Sequence, residues 1–90
     1  MTLHPYYIAL TDFPNVGLGH SCDPATFEDA CDAYAEKMAD GLETMVFRLE
    51  PPRGVAAGAM IDVTADAASR VRQWHMQRRQ AFPAWLEAAR

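Results

Sequence analysis

The chain has 90 residues and a mass of 10.0 kDa, and 50% of its residues are apolar while 22% are charged. This composition predicts one small folded domain over residues 1–90, with residues 81–90 as a short C-terminal helical extension, and it excludes an intrinsically disordered chain. No stretch approaches the ~20 apolar residues of a spanning helix, and the N-terminus lacks a signal-peptide pattern, so we expect a cytoplasmic protein without a membrane partner.

The net charge of −4 is unevenly distributed along the chain. Residues 1–63 contain ten Asp and Glu against three Lys and Arg, a local charge of −7, whereas residues 64–90 contain five Arg against two acids, a local charge of +3. Such a division indicates either electrostatic attraction between the two segments or a charged face that serves a partner.

Two strands are predicted before the first helix. In residues 4–10, Tyr6, Ile8 and Leu10 recur at period two, which predicts a strand with these three side chains on its buried side. A turn-forming segment follows, and the weaker alternation of residues 16–21 predicts a second strand, with a long loop as the alternative.

A helix over residues 24–40 has start and stop signals at both ends. Asp23 is a good N-cap residue, Pro24 suits the first helical position, and Gly41 suits a left-handed residue after the last turn. An apolar stripe at helical spacing predicts the buried side, and it comprises Phe27, Ala30, Cys31, Tyr34, Ala35 and Met38.

The second half of the chain predicts a hairpin and two helices. Residues 42–50 alternate, and alternation resumes over 55–63 after a break rich in proline. Thr64 is the expected cap of a helix over residues 65–80, and a short helix over residues 83–89 closes the chain.

These elements predict a two-layer α+β fold. A small antiparallel sheet of three or four strands, in the order β-β-α-β-β-α, packs against two helices. The predicted core consists of Tyr6, Ile8, Leu10, Phe27, Cys31, Tyr34, Met38, Phe47, Leu49, Ile61 and Val71.

The first predicted helix carries a row of carboxylates. Glu28, Asp32 and Glu36 follow at four-residue spacing, with Asp29 and Asp40 alongside. Like charges at this spacing are unfavourable by a few tenths of a kcal/mol each. The row is therefore either a solvated face or a binding surface for a protein partner with a basic surface, where spaced carboxylates imitate phosphates.

The second predicted helix carries the opposite charge. Arg72, His75 and Arg79 stack on its flank and, with Trp74, form an alternative nucleic-acid-binding site. Arg78 lies near the middle of the apolar stripe, which predicts either a solvent-reaching guanidinium or a pairing with a carboxylate of the first helix.

Three aromatic side chains near the C-terminus suggest self-association. Trp74, Phe82 and Trp85 are predicted either to complete the core or to form the contact of a homodimer.

Cysteine and histidine do not form a recognisable chemical motif. The spacing of His20, Cys22 and Cys31 matches no recurrent zinc pattern, so we expect no metal and no cofactor. A catalytic site would require His20, Cys22 and His75 to approach one another in a pocket.

The strand, strand, helix and hairpin arrangement of residues 4–63 is similar to that of some small phage-encoded inhibitors, including inhibitors of CRISPR effector complexes. The glycine-containing second strand and the helix start over residues 23–30 also resemble HicB-type antitoxins, which place an acidic helix after a short antiparallel sheet. Both resemblances concern architecture, and neither assigns a functional residue.

The leading functional hypothesis is a non-catalytic protein-binding module, an inhibitor that acts by occupancy through the acidic helix on a basic, nucleic-acid-handling partner. Nucleic-acid binding through the arginine-rich helix is the alternative, and a small enzyme without a recognisable motif is the third hypothesis.

Overall fold

The computed structural model of the chain describes residues 6–52, 54–55 and 57–89, so the predicted strand start at residues 4 and 5 lies outside the described residues. None of the described helices is long and apolar enough to cross a bilayer. The elements are β1 (Tyr6–Phe13), β2 (Gly17–Ala25), α1 (Phe27–Ala39), β3 (Thr44–Glu50), β4 (Ala59–Asp62), α2 (Thr64–Gln77) and α3 (Ala84–Ala88).

The four strands form one antiparallel sheet in the order β2-β1-β3-β4. Every adjacent pair is antiparallel, and the two hairpins β1-β2 and β3-β4 are joined through the central pair β1-β3. The predicted α+β class and element order are confirmed, with four strands and a third, short helix.

The second strand is confirmed but is longer than predicted. β2 begins at Gly17, which follows a turn with Asn15 in the left-handed region at φ 66°, and it runs to Ala25 instead of ending at residue 21. The pairing shifts between Ala9 opposite Cys22 and Leu10 opposite His20, which marks a bulge at the intervening Ser21.

The predicted start of α1 is wrong by three residues. Asp23 and Pro24 belong to β2, whose position at the sheet edge tolerates a proline without an amide N–H. Thr26 is the N-cap instead, because its side-chain oxygen accepts a hydrogen bond from the Asp29 amide at 3.2 Å. At the other end Gly41 has φ 81°, as the sequence predicts for the left-handed residue after a helix.

The start of α2 also differs from the prediction. Thr64 is the first helical residue and provides no side-chain cap. Its hydroxyl instead donates to an Asp62 carboxylate oxygen at 2.6 Å and accepts from the Val46 amide at 3.0 Å, which ties the helix to β3. The helices α2 and α3 are each shorter than predicted, ending at Gln77 and Ala88.

All three helices lie on one face of the sheet, which we call the covered face. The buried cluster joins Ala9 and Val46 of the sheet to Tyr34 of α1, Val71 of α2 and Leu86 of α3. No described helix packs against the opposite face, which we call the open face. It carries the apolar residues Tyr6, Ile8, Leu10, Leu18, Met45, Phe47, Leu49 and Met60, together with His20 and the acids Asp12 and Asp62.

The predicted core therefore has the wrong phase in β1 and β3. Tyr6 is 41% exposed, and Leu10, Phe47 and Leu49 are only half-buried, because all four lie on the open face. Ile8 on that face is buried, but it does not belong to the cluster beneath the helices. Other predictions for the core hold in the structure: Cys31, Tyr34 and Val71 are buried, and Phe27, Met38 and Ile61 pack against them.

Small residues explain why the helices choose the covered face. Ala9 of the sheet and Ala30, Ala67 and Ala68 of the helices belong to the same buried cluster, and all four are fully or almost fully buried. Because these side chains are small, the backbones of the helices and the sheet can approach closely. The larger side chain of Tyr34 fills the remaining volume.

Two buried threonines complete this face. Thr11 and Thr44 are joined by a hydrogen bond of 2.9 Å between their hydroxyl oxygens. Thr11 also donates to the Ser21 hydroxyl at 2.8 Å, which the bulge in β2 turns toward the covered side. These bonds satisfy hydroxyls that would otherwise be costly to bury.

Candidate protein-binding surfaces

The acidic face of α1, which comprises Glu28, Asp29, Asp32, Glu36 and Asp40, is exposed at all five positions. At 100° per residue these positions fall within an arc of roughly 120° around the helix axis, and at 1.5 Å per residue they extend over about 18 Å. The other side of α1 is buried through Ala30, Cys31 and Tyr34. The helix is therefore held by its apolar side and presents its carboxylates to solvent.

Two of the five carboxylates have a cationic neighbour. Arg70 of α2 pairs with Glu28 and lies 5.6 Å from the centre of the Phe27 ring. Lys37 approaches Glu36 at 3.7 Å. Within the described part of the chain no ion pair engages Asp29, Asp32 or Asp40, so three of the five carboxylates keep their negative charge without a cationic partner.

The buried Cys31 of α1 has an unreactive thiol. Burial, followed by the nearby Glu28 carboxylate, raises the pKa of the Cys31 thiol to about 12. The thiol therefore stays protonated at neutral pH and is a poor nucleophile. Burial likewise raises the pKa of Tyr34, one helical turn further on.

The predicted nucleic-acid site is largely engaged within the chain. The Arg72 guanidinium donates to the carbonyl oxygens of Leu86, at 3.5 Å, and of Ala89, and thus holds the end of α3. The Nδ1 atom of His75 lies 3.0 Å from the Val71 carbonyl oxygen, and its ring packs edge-on against Phe82. Arg79 is exposed beyond the end of α2, as is Arg78.

The predicted dimer-contact residues also pack within the chain. Trp85 meets Tyr34 edge-on, with ring centroids 5.6 Å apart, and Phe82 meets His75 at 6.0 Å. Together with Trp74 they are half-buried and lie against the core cluster. A dimer formed through these three residues stays a prediction, and their packing contributes to the chain's own fold.

A groove of about 290 Å³ opens beside α2, between Tyr7, Phe27, Arg48 and Arg70. Arg48 pairs with Glu50 at 2.9 Å, and Arg70 pairs with Glu28, so both cations already face a carboxylate of the same chain. The Nε atom of Arg48 is buried without a hydrogen-bond partner among the described residues. The groove therefore offers a single unsatisfied donor and no excess of charge.

The three side chains required by the enzyme hypothesis lie on different surfaces. His20 is exposed on the open face opposite Leu10, whereas Cys22 packs against the core on the covered face. His75 lies on α2. Among the described residues no group of three or more His, Cys, Asp or Glu side chains is placed to hold a metal ion.

The open face is the surface that sequence reasoning missed. The pattern of large apolar residues in β1 and β3 marks it clearly, but the sequence analysis assigns that pattern to the core. The distinguishing signal is the second set of alternating residues, Ala9 and Thr11 in β1 with Thr44 and Val46 in β3, which are small enough for helices to approach.

Comparison with protein-family models, curated proteins and solved structures gives no match to this chain in any of the three. The functional proposal below is therefore argued from the chain's own surfaces.

Proposed function

We propose that the chain is a non-catalytic protein-binding module that presents the acidic face of α1 to a partner with a basic surface. The observation that carries this proposal is the exposure of all five carboxylates on a helix whose opposite side is anchored in the core. An anchored helix loses little conformational freedom on binding, which favours association.

The unpaired negative charges of the acidic face favour a positively charged partner. Asp32 and Asp40 have no ion-pair partner within the described residues, and Lys37 answers only Glu36. Unpaired charges of one sign on one surface speed the approach of an oppositely charged partner and orient it before contact. We expect association rate and salt dependence to be more sensitive to these residues than the stability of the fold.

The mode of action that follows is occupancy. Carboxylates at four-residue spacing, about 6 Å apart along the axis, present a row of negative charges as a nucleic-acid backbone does. A basic surface that normally contacts phosphates would be covered by α1, and the chain would act there as an inhibitor.

Two observations support a non-catalytic role. The protonated Cys31 thiol is unsuited to nucleophilic attack, and His20 and Cys22 lie on opposite faces of the sheet. The arginine-rich helix supports nucleic-acid binding less well, because Arg72 and His75 are engaged in contacts within the chain.

The test compares two charge-reversed variants. Asp32→Lys/Asp40→Lys alters the acidic face, and Asp66→Lys/Glu87→Lys makes the same change in net charge at exposed acids outside α1. Wild type and both variants are used for affinity capture from nuclease-treated lysate of the source, and association rates with the captured protein are then measured against salt concentration.

We expect the wild type and the Asp66/Glu87 variant to capture the same protein, and the Asp32/Asp40 variant to associate with it at least about tenfold more slowly. Both variants should melt within a few degrees of the wild type. Equal association by all three proteins would exclude the acidic face, and capture that disappears on nuclease treatment would transfer the function to nucleic-acid binding.

A further inference from the structure

The two faces of the sheet have an unusual distribution of apolar residues. An antiparallel sheet with one face in solvent normally places apolar residues toward its helices and polar residues outward. On the two central strands the covered face has Thr11, Thr44 and Arg48 beside Ala9 and Val46, whereas the open face has the larger apolar residues Ile8, Leu10, Met45, Phe47 and Leu49, with Asp12 at one end. The helices leave the more apolar side of the sheet to solvent.

We propose that the open face is a homodimer interface, which packs against the same face of a second copy of this chain. The assembly then has four layers in the order helix, sheet, sheet, helix. This contact uses a different surface from Trp74, Phe82 and Trp85, whose side chains lie against the core on the covered side.

Exposure of the open face increases toward its edges. Leu18 on β2 is 63% exposed and Met60 on β4 is 54% exposed, and these strands are the two edges of the sheet. Val16, in the turn before β2, extends the apolar surface at the hairpin end and is 81% exposed. Large apolar patches of this kind on small proteins mark interaction sites.

The uncharged centre of the open face suits contact with a second copy of the chain. Its two central strands carry no charged side chain between Tyr6 and Leu10 or between Met45 and Leu49 on this side, because Arg48 projects to the covered side. Two exposed acids lie on this side: Asp12 is opposite Leu18 near the β1-β2 turn, and Asp62, opposite Phe47 on the edge strand β4, accepts hydrogen bonds from Thr64. An apolar centre with acids only toward its rim leaves those charges at the exposed edge when it meets its own copy, and twofold symmetry requires only that the surface be self-complementary.

The area of the open face sets the strength of the contact. Four strands at a spacing of about 4.8 Å and seven residues at about 3.3 Å give a flat footprint on the order of 400 Å². Two such corrugated faces bury on the order of 1,000 Å² in total, which is the lower limit for a specific interface. We therefore expect a dimer that dissociates on dilution in the micromolar range.

The geometry of the dimer leaves the acidic faces accessible. Stacked sheets pack about 10 Å apart with their strands roughly aligned, so the helices of both copies point away from the interface. Each copy keeps its own acidic face toward solvent. The inference does not depend on the proposed partner, because it rests on the opposite side of the sheet.

Methionine methyl groups allow the interface to be tested without mutation. Met60 on the open face and Met76 on α2 are similarly exposed, at 54% and 61%, so Met76 is a matched internal control. We would label the methionine methyl carbons, add a soluble paramagnetic agent, and record methyl relaxation from about 10 μM to 1 mM chain, with the molar mass followed by analytical ultracentrifugation.

We expect the molar mass to rise to twice that of the monomer with increasing concentration. Over the same range the paramagnetic effect should fall at least twofold at Met60 and stay unchanged at Met76. The variant Leu18→Lys/Met60→Lys should raise the dimer dissociation constant at least tenfold, and Met76→Lys should leave it unchanged. Both replaced positions are already exposed, so the variant should fold, which circular dichroism checks.

Two results would overturn the inference. A chain that stays monomeric at 1 mM would show that the open face is not a homodimer interface. A dimer that protects Met76 and leaves Met60 accessible would place the contact on the helical side.

Discussion

The covered face of the sheet places the small side chains of Ala9 and Thr11 beneath three helices, whereas the open face places Leu10, Phe47 and Leu49 beneath none. We attribute the choice of side to close approach of the helix backbones over small residues, and not to the size of the apolar side chains. The difference between the faces also separates two roles, because the covered face stabilises the chain while the open face remains available for association.

The largest difference in stability is expected when one leucine is removed from the covered side and one from the open face. Leu86→Ala empties a fully buried position beneath the covered face and should lower the free energy of unfolding by about 2–5 kcal/mol. Leu18→Ala on the open face should change it by less than about 0.5 kcal/mol. Urea unfolding at low micromolar concentration measures both, and similar losses for the two variants would contradict the division between the faces.

The hydroxyl pair on the covered face gives an intermediate effect. Thr11→Val removes the hydroxyl that Thr44 and Ser21 share, although each still donates to a backbone carbonyl, and it should cost about 0.5–1.5 kcal/mol, as should Thr44→Val. The double variant should cost less than the sum, by on the order of 1 kcal/mol, because it removes both partners. Strict additivity in a double-mutant cycle would show that the two hydroxyls are not coupled.

Alkaline pH gives a smaller and more specific test of burial. The Cys31 thiol has a pKa raised from 9.0 to about 12 in the fold, so its contribution to stability is complete below pH 9 and is lost between pH 9 and 12. The stability difference between wild type and Cys31→Ala should therefore shift, at wild type's expense, by up to about 1.4 kcal/mol per pH unit above 9. Urea unfolding at pH 8, 9 and 10 measures it, and a constant difference would show an ordinary thiol.

Much of the fold could be predicted because its signals are local. The alternation in β1 and β3, and the left-handed Gly41 after α1, each require only a few neighbouring residues. The start of α1 was missed because Asp23 and Pro24 have good helix-start chemistry, yet the pairing of β2 continues to Ala25. Tertiary pairing overrides the local preference there.

The phase of the sheet could not be predicted by hydrophobicity alone. Successive side chains of β1 point to alternate faces of the sheet. The larger ones, Tyr6, Ile8 and Leu10, favour assigning the open face to the core, which is wrong. The correct assignment depends on how closely α1 and α2 can approach the side of the sheet that carries Ala9 and Val46, which is a property of the assembled layers. The residues concerned are far apart in the sequence, so local patterns do not reveal this property.

The exposure of the acidic face could be predicted from helical spacing. The pairing of Glu28, at the start of this face, with Arg70 could not. Glu28 and Arg70 are 42 positions apart, and only the packing of α2 beside α1 brings them together. The same holds for Arg72, whose guanidinium holds the end of α3. Interactions between helices thus determine which predicted binding residues stay available.

The most direct test of the separation between the two faces is a nuclear Overhauser spectrum of the dilute, monomeric chain. We predict cross-peaks from the Val46 methyl groups to Tyr34 and Val71, which share the buried cluster, and from the Phe47 ring only to residues of the sheet such as Ile8. Cross-peaks from the Phe47 ring to Tyr34 or Val71 would place Phe47 beneath the helices and would contradict the account.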